Sequence, residues 1–528
     1  MKRLGALALA AMTASAQVTF DRLLNAAKEP GQWMTYSGAY NGWRHSPLDQ
    51  IRRENVSSLQ VKWVYQMPTT HLVETTPLVV DGIMYFTEPP SNVVAVDAET
   101  GRQFWRYRRE LPSKINVCCG QVNRGVAVLG DRVFVGTVDA HLVALDRRTG
   151  DVLWDVEVAN YRHGYSVTVA PLIVKDMVIS GIAGGEYGIR GFLDAYDAAT
   201  GKRRWRFWTI PGPGEKGNET WSGESWKTGG GSTWVTGSYD PSQNAIVWGV
   251  GNPSPDWNGD SRLGDNLYSD SAIALDADTG KLKWHFQFVP HDVHDWDAVQ
   301  VPVLVDDEFQ GRRRKLVYWA HRNGFYYVLD RETGKFLAGK AFATQTWAKG
   351  LDPNGRPIRL PNIDPSPEGT YIFPGVQGAT NWYSPSYSPV TKLFYLSTWE
   401  NRSVYRKGEQ EYTPGNRYIG SVPLIDLPDD PGWGAIRALN PKTGDRVWEY
   451  KLHTKPWSGV LSTAGNLVFG GSDEGHIFAL DAATGKEMWR RNVGGIIRSN
   501  AISYMSKGKQ VVAMAAGSSI FTFELAGR

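Results

Sequence analysis

Apolar and β-branched residues in this chain come in short runs, and the same turn follows run after run. Val93-Val94-Ala95-Val96 precedes Asp97-Ala98-Glu99-Thr100-Gly101, and Leu142-Val143-Ala144-Leu145 precedes Asp146…Thr149-Gly150. Runs of this length and composition predict strands. Asp-x-x-Thr-Gly is turn chemistry: Asp and Thr oxygens bond nearby backbone N–H groups, and Gly accepts positive φ. A tryptophan then opens or closes the next strand. The full pattern runs Ala95…Trp105, Ala144…Trp154, Ala195…Trp205, Ala274…Trp284, Ala438…Trp448 and Ala479…Trp489. A worn copy, Val328-Leu329-Asp330-Arg331-Glu332-Thr333-Gly334, lacks the tryptophan. Another strand lies upstream of each copy, such as Arg132-Val133-Phe134-Val135-Gly136-Thr137. Four strands per unit is the make-up of a propeller blade.

Repeat spacings of about 40–55 residues, or about twice that across insertions, mean stacked units rather than independent domains. Seven motifs are visible. A degenerate unit around Tyr387-Ser388-Pro389-Val390-Thr391 and Leu393-Phe394-Tyr395-Leu396 is counted as the eighth. Leu59-Gln60-Val61-Lys62-Trp63 reads as the outer strand of the last blade, supplied from the other end of the chain. The expected fold is therefore all-β, an eight-bladed propeller with tryptophan-docking repeats, forming one domain over residues 17–528. A β-solenoid has shorter repeats and fewer tryptophans than the 22 present here.

The start of the chain bears on compartment. Lys2-Arg3, the apolar run Leu4 to Met12 and Ala14-Ser15-Ala16 have the order of a secretory signal. Residues 1–16 are expected to be cleaved and the product to be periplasmic, where a disulfide survives. The run is too short for a membrane span, which takes about 20 residues, and no later stretch is apolar enough. Formal charge is +3, which gives no footprint for nucleic acid. Gly229-Gly230-Gly231 lacks a following Lys-Ser/Thr, so it is not a phosphate loop. Asp276-Ala277-Asp278-Thr279-Gly280 lacks the acid a calcium loop needs at its twelfth position. No Cys-x-x-Cys-His is present for a c-type haem.

Function should lie in what the repeat does not require. The only two cysteines, Cys118 and Cys119, are adjacent. A trans peptide sets their Cα atoms about 3.8 Å apart, closer than the roughly 4.4–6.8 Å of an ordinary disulfide, so two free thiols and a small closed ring both remain open. Gly181-Ile182-Ala183-Gly184-Gly185-Glu186 puts one carboxylate in a loop where backbone can approach a ligand closely. Trp221 to Trp234 is an insertion rich in Trp and Gly. Gly249-Val250-Gly251-Asn252-Pro253, Pro290-His291-Asp292-Val293-His294-Asp295-Trp296-Asp297 and Ala320-His321-Arg322-Asn323-Gly324 also depart from the repeat. Glu186, Asn252, Asp295 and Asp297 offer oxygen ligands from different units, which suits a hard cation rather than zinc. Taken singly, each acid reads as a loop cap or a solvated residue; together, and with the Cys pair, they read as a site.

These motifs together resemble the pyrroloquinoline quinone (PQQ)-dependent alcohol dehydrogenases, which include the methanol dehydrogenase large subunit. The motifs are Cys-Cys-x-x-Val-Asn-Arg, Gly-x-Glu-x-Gly-x-Arg-Gly, Trp-x-Gly-x-x-Trp-x-x-Gly-Gly-Gly, Gly-Asn-Pro, His-Asp-x-x-Asp and Arg-Asn-Gly. The likeness covers nearly the whole chain after residue 16 and implies an eight-bladed propeller. It also implies a Cys118–Cys119 disulfide that covers one face of PQQ, with the Trp234 indole on the other. Glu74, Arg124, Thr168, Gly184, Gly185, Ser232, Arg322, Asn381 and Trp457 match positions around the cofactor. Arg124 would offer its planar fork to a PQQ carboxylate.

Glu186 and Asn252 match metal ligands, Asp295 the general base, and Arg322 the arginine near the quinone oxygens. The family mechanism implied is proton removal by Asp295 with hydride transfer to a metal-polarised quinone, then electron passage to a soluble cytochrome c. Asp297, an acid two residues after the base, and Gly185, before the metal-binding Glu, resemble the lanthanide-using members, so a lanthanide is favoured over calcium.

Two departures stand out. Ala183 replaces a serine near the cofactor, and His294 stands where another residue is expected; both bear on the substrate, a small alcohol, more than on the cofactor. The Pro-, Tyr- and Trp-rich stretch from Ala341 to Gly434 is expected to shape the entrance. The alternative is a non-catalytic exported propeller scaffold, which would have no use for the Cys pair with Glu186, Asn252 and Asp295. A dehydrogenase that has lost PQQ binding is a further alternative; the membrane-bound sugar dehydrogenase branch would need N-terminal spans. The sequence leaves subunit pairing open, a homodimer included.

Overall fold

The computed structural model describes residues 17–424, 427 and 429–527; the signal expected over residues 1–16 lies outside them. In the first blade, Leu78–Val80, Ile83–Glu88, Asn92–Asp97 and Gln103–Tyr107 pair antiparallel in that order. Leu78, Tyr85, Ala95 and Trp105 stand in one register row from the buried first strand to the half-exposed fourth. A bulge after Ala95 shifts the register there and aims the tryptophan sideways at the next blade.

Six further four-stranded units follow, over residues 127–157, 172–208, 238–287, 303–341, 386–452 and 461–492. The last of these gains a fifth strand, His45–Ser46, parallel to Leu461–Thr463. The eighth blade is Ile502–Ser506, Lys509–Ala516 and Ser519–Leu525, completed by Leu59–Gln66 from the other end of the chain. That strand is the outer one expected from sequence, and it closes the ring by pairing Leu59 with Leu525 and Gln66 with Ser519.

Eight blades are present, but the eighth is not the unit expected around residues 387–396. Ser386–Ser388 and Leu393–Glu400 are not a degenerate unit of their own; they are the inner strands of the blade that carries Ala438…Trp448. The eighth blade is the closing one, which carries no Asp-x-x-Thr-Gly because its outer strand comes from residues 59–66.

Five motif tryptophans, and Trp63 of the closing blade, do one structural job. Trp63, Trp105, Trp154, Trp205, Trp284 and Trp448 each donate Nε1–H to a backbone carbonyl in the turn of the following blade, at Ala98, Arg147, Ala198, Ala277, Arg331 and Ala482, over 2.9–3.2 Å. In the worn fifth copy, Tyr326 takes over and donates Oη–H to Pro441 O at 2.9 Å. The turn glycine is required on two counts. At Gly150, φ is +80° and a Cβ would lie 2.6 Å from Trp105 Cε3. Among the described residues no helix is long and apolar enough to cross a membrane.

Candidate active site

One cavity of about 310 Å³ collects nearly every residue singled out from the sequence. The first strand of each blade is short and buried, and the chain approaching it supplies the cavity wall. In six blades the residue four places before that strand lines the cavity: Glu74 before Leu78, Thr168 before Leu172, Trp234 before Ser238, Trp382 before Ser386, Trp457 before Leu461 and Arg498 before Ile502. The second blade contributes the bonded pair Cys118–Cys119 and Arg124, and the fifth contributes Asp295 and Asp297. Loops joining second and third strands add Gly184 and Glu186 in the third blade and Arg322 in the fifth. Gly185 and Asn252 lie directly behind the wall, since a Cβ on Gly185 would meet Ser232 Oγ at 3.4 Å and Asn252 Oδ1 at 3.7 Å.

Arg124 organises one part of the wall. Its Nη2 pairs with Glu74 Oε2 at 2.6 Å and its Nη1 donates to Thr168 Oγ1 at 3.0 Å. The guanidinium carbon stands 4.7 Å from the Trp234 ring centroid and 4.9 Å from that of Trp382. Its backbone is fixed from both neighbouring blades, with Thr76 N donating to Arg124 O at 3.0 Å and Arg124 N donating to Thr168 O at 3.1 Å. Burial pushes the Glu74 carboxyl up, and Arg124 and Arg498 pull it back. Arg498 lies 4.4 Å over the Trp457 ring. The Nε of Arg124, of Arg322 and of Arg498 are each buried without a hydrogen-bond partner.

The acids gather elsewhere on the wall. Asp297 pairs closely with Arg322 Nη1 and accepts the Asn252 backbone N–H at 2.9 Å. Arg322 Nη2 donates to Val376 O at 2.5 Å and stands 3.7 Å from Asp295 Oδ2. Asp295 holds a left-handed backbone, φ 60°, and its side chain keeps 19% of its surface open. Burial first, then the charges of Asp297, Asp256 and Glu186, push the Asp295 carboxyl well above the usual range, against the pull of Arg322. Glu186 is raised by burial and by Asp297. The Glu186 carboxylate and the two sulfurs of Cys118 and Cys119 come within 4.8 Å of one another. Bonded to each other, those sulfurs are not thiolates, so of that trio only Glu186 could ligate a metal.

His294 is a packing residue rather than a wall residue. It is buried, stacks on Trp296 at 4.3 Å, and its Nε2 bonds Ile363 O at 2.9 Å. His291 bonds Gly264 O through Nδ1, so the two histidines do not form a metal pair. Ala183 does line the cavity. From the stretch between Ala341 and Gly434, Gln377, Asn381 and Trp382 reach it. Ser166, Gln377, Trp382 and Arg498 line the cavity and were missed by sequence reasoning, as was the buried Asp256, which does not line it. The four-residue register before the first strand would have found Trp382 and Arg498.

The donor set fits a flat polyanion with a hard cation beside it. Three guanidiniums with unpartnered Nε atoms, the hydroxyls of Ser166, Thr168 and Ser232 and the Asn381 amide suit carboxylates and quinone oxygens. Glu186, Asn252 and Asp297 suit an oxygen-bound metal.

Residues 33–339 match the family model described as PQQ: Glucose/ethanol/alcohol dehydrogenase, beta-propeller domain. Residues 433–527 match the model of outer membrane protein assembly factor BamB. The quinoprotein alcohol dehydrogenase PedH of Pseudomonas putida is 38% identical over 536 residues, covering 96% of this chain and 90% of PedH. The crystal structure of the quinohemoprotein alcohol dehydrogenase from Comamonas testosteroni superposes with a TM-score of 0.92 at 34% identity, over 97% of this chain and 83% of that one. A europium-containing methanol dehydrogenase gives 0.90 at 33% identity, over 96% of this chain and all of that one (100%). With a shared fold and identities of this size over nearly all of its length, the chain belongs to the PQQ-dependent alcohol dehydrogenases.

Proposed function

We propose that this enzyme oxidises a small alcohol to its aldehyde in the cavity at the propeller axis, with PQQ lying between the Cys118–Cys119 disulfide and the Trp234 indole. The observation that carries the reading is the convergence there of Arg124, Arg322 and Arg498, each with a free Nε, and the acids Glu186, Asp295 and Asp297. When bound, PQQ supplies the two-electron acceptor and the metal ion the Lewis acid that polarises it. The chain's own residues do the rest. Arg124, braced by Glu74, and Thr168 and Ser232 bind and orient carboxylates, with Asn381 and Trp457 completing the wall. Asp295 takes the hydroxyl proton of the alcohol: it is open to the cavity and stands 3.7 Å from the Arg322 guanidinium. Arg322, held by Asp297 and Val376 O, presents positive charge where oxygen charge builds.

Glu186, Asn252 and Asp297, together with Asp295, are the residues that would hold the metal. Asp297 adds negative charge to the site, which favours a trivalent lanthanide over calcium; the likeness to a europium-containing methanol dehydrogenase supports this. A soluble cytochrome c as electron acceptor, a cleaved signal over residues 1–16, a periplasmic location and a single domain over 17–528 complete the reading.

The test is reconstitution. The purified chain with PQQ and either La3+ or Ca2+ should reduce a dye on addition of alcohols, with La3+ giving the higher turnover, and Asp297→Ala should abolish that preference. Full turnover with Ca2+ that survives Asp297→Ala would overturn the lanthanide assignment, and no turnover or PQQ absorbance with either metal would overturn the cofactor site. That last result would favour the second reading, a propeller scaffold. It draws on the match of residues 433–527 to an outer membrane assembly factor, but it leaves the buried acids and arginines without a purpose.

A further inference from the structure

Asp256 is 1% exposed, and neither of its carboxylate oxygens has a hydrogen-bond partner. An unpaired, buried carboxylate is among the costliest groups a fold can keep, so a partner that is not protein is implied. Its setting says which. Asp256 lies four residues after Asn252 in Gly251-Asn252-Pro253-Ser254-Pro255-Asp256, and its polar neighbours are Glu186, the Asn252 side chain and Asp297.

The backbone explains why Asp256 and Glu186 meet. Tyr418 N donates to Glu186 O at 2.6 Å, Ser254 Oγ donates to Tyr418 O at 2.9 Å, and Trp257 N donates to Ile419 O at 3.0 Å. The segment carrying Asp256 and the loop carrying Glu186 thus both bond Tyr418, and the former also bonds the adjacent Ile419. The cation next to Asp256, Arg262, is spent on neutral acceptors: Pro255 O, Asp292 O and Asn266 Oδ1. Its charge is shared among Asp292, Asp256 and Asp270, and it gives Asp256 no hydrogen bond.

We propose that Asp256 is a further carboxylate of the metal site, giving its charge and a ligand oxygen to the cation held by Glu186 and Asn252. This rests on the metal site described under Proposed function. It changes the charge balance there: with a cation holding all four carboxylates ionised, Glu186, Asp256, Asp295 and Asp297 outnumber the Arg322 charge by three, one more than without Asp256, which suits a trivalent ion.

The experiment uses the full chain with PQQ, freed of metal by a chelator, and three proteins: wild type, Asp256→Asn and Glu186→Gln. Eu3+ is titrated by calorimetry, and the hydration of bound Eu3+ is read from its luminescence lifetime in H2O and D2O under direct excitation. Asp256→Asn should weaken Eu3+ at least tenfold, weaken Ca2+ less, and add one water to bound Eu3+. Thermal melting supplies an opposite sign: without metal, Asp256→Asn should melt at or above the wild-type temperature, because an unpaired charge has gone, and it should gain less on adding Eu3+. If Glu186→Gln weakens Eu3+ while Asp256→Asn does not, the role of Asp256 is refuted and the metal site stands. Destabilisation of metal-free Asp256→Asn with unchanged Eu3+ affinity also refutes it, as that marks a structural acid. If Glu186→Gln leaves Eu3+ binding intact, the site itself is misplaced.

Discussion

Replacing Arg124 by alanine leaves Glu74 with only the weaker pull of Arg498. Both residues are 4% exposed, and they pair at 2.6 Å. Removing one partner of a buried ion pair costs about 3–5 kcal/mol, because the survivor keeps its charge away from water. The Arg124 bond to Thr168 Oγ1, 3.0 Å, is lost as well, at about 1 kcal/mol. Glu74 has one way out. Burial already holds its carboxyl above the ordinary range, and without Arg124 the shift grows until the acid takes up a proton. An acid raised in the folded state binds more protons folded than unfolded, so its penalty is absent at low pH and develops as pH rises toward the folded-state value. Arg124→Ala should therefore lose least stability at pH 5 and most at pH 8. Urea unfolding of the chain without PQQ measures the loss at both pH values. Adding Glu74→Gln to Arg124→Ala should recover about 1.5 kcal/mol or more at pH 8 and little at pH 5. An equal loss at pH 5 and pH 8, or a double variant weaker than Arg124→Ala alone, would refute the reasoning.

Three further outcomes are expected. Trp105→Phe removes the Nε1–H that reaches Arg147 O at 3.0 Å and should cost about 1–3 kcal/mol, while Gly150→Ala, with φ +80° and a Cβ 2.6 Å from that ring, should cost more; urea midpoints compare them. His45, whose Nδ1 bonds Ser462 Oγ at 2.8 Å, is lowered by burial to about 4. A base lowered on folding gives its full stability above the unfolded value near 6.5 and loses it as pH falls toward 4, so His45→Gln should remove about 2–3 kcal/mol of acid sensitivity in that window, read by melting at pH 7 and pH 4. Cys118→Ser should leave the far-ultraviolet circular dichroism and melting temperature near wild type but impair PQQ-dependent turnover, since Cys119 and Cys118 line the cavity and hold no blade together; unchanged turnover would deny the ring its role.

The repeat was legible because each copy carries its own turn and its own tryptophan within a few residues of each other. Pairings that cross long sequence gaps were not. Leu393–Glu400 pairs with Trp433–Leu439, but an excursion that includes Ser403–Tyr405 intervenes, so the inner strands read as a blade of their own. The closing blade hides for the opposite reason, its tryptophan being Trp63 while its other strands begin at Ile502. Site residues followed the same division. Cys118, Arg124, Glu186 and Asn252 stand in strings the repeat does not need. Arg498 stands in Ile496-Ile497-Arg498-Ser499-Asn500, which looks like any approach to a strand, and Asp256 declares itself only through burial and unpartnered oxygens.

The register before each first strand joins these observations. A blade needs its motif at the outer end, where Trp105 meets Gly150 and Arg147, and the docking fixes how blades sit side by side. It asks nothing of the residue four places before the innermost strand except that the chain arrive there. That position is Glu, Thr, Trp, Trp, Trp and Arg in six blades, a set no packing rule would select. Stability and chemistry thus occupy opposite ends of the same sheets. Residues more than about 7–10 Å apart without shared partners contribute nearly additively, so a docking variant such as Trp105→Phe and a wall variant such as Arg498→Ala should combine without coupling in stability. Two wall variants that share Glu74, such as Arg498→Ala with Arg124→Ala, should couple, because each arginine alone holds down the same carboxyl.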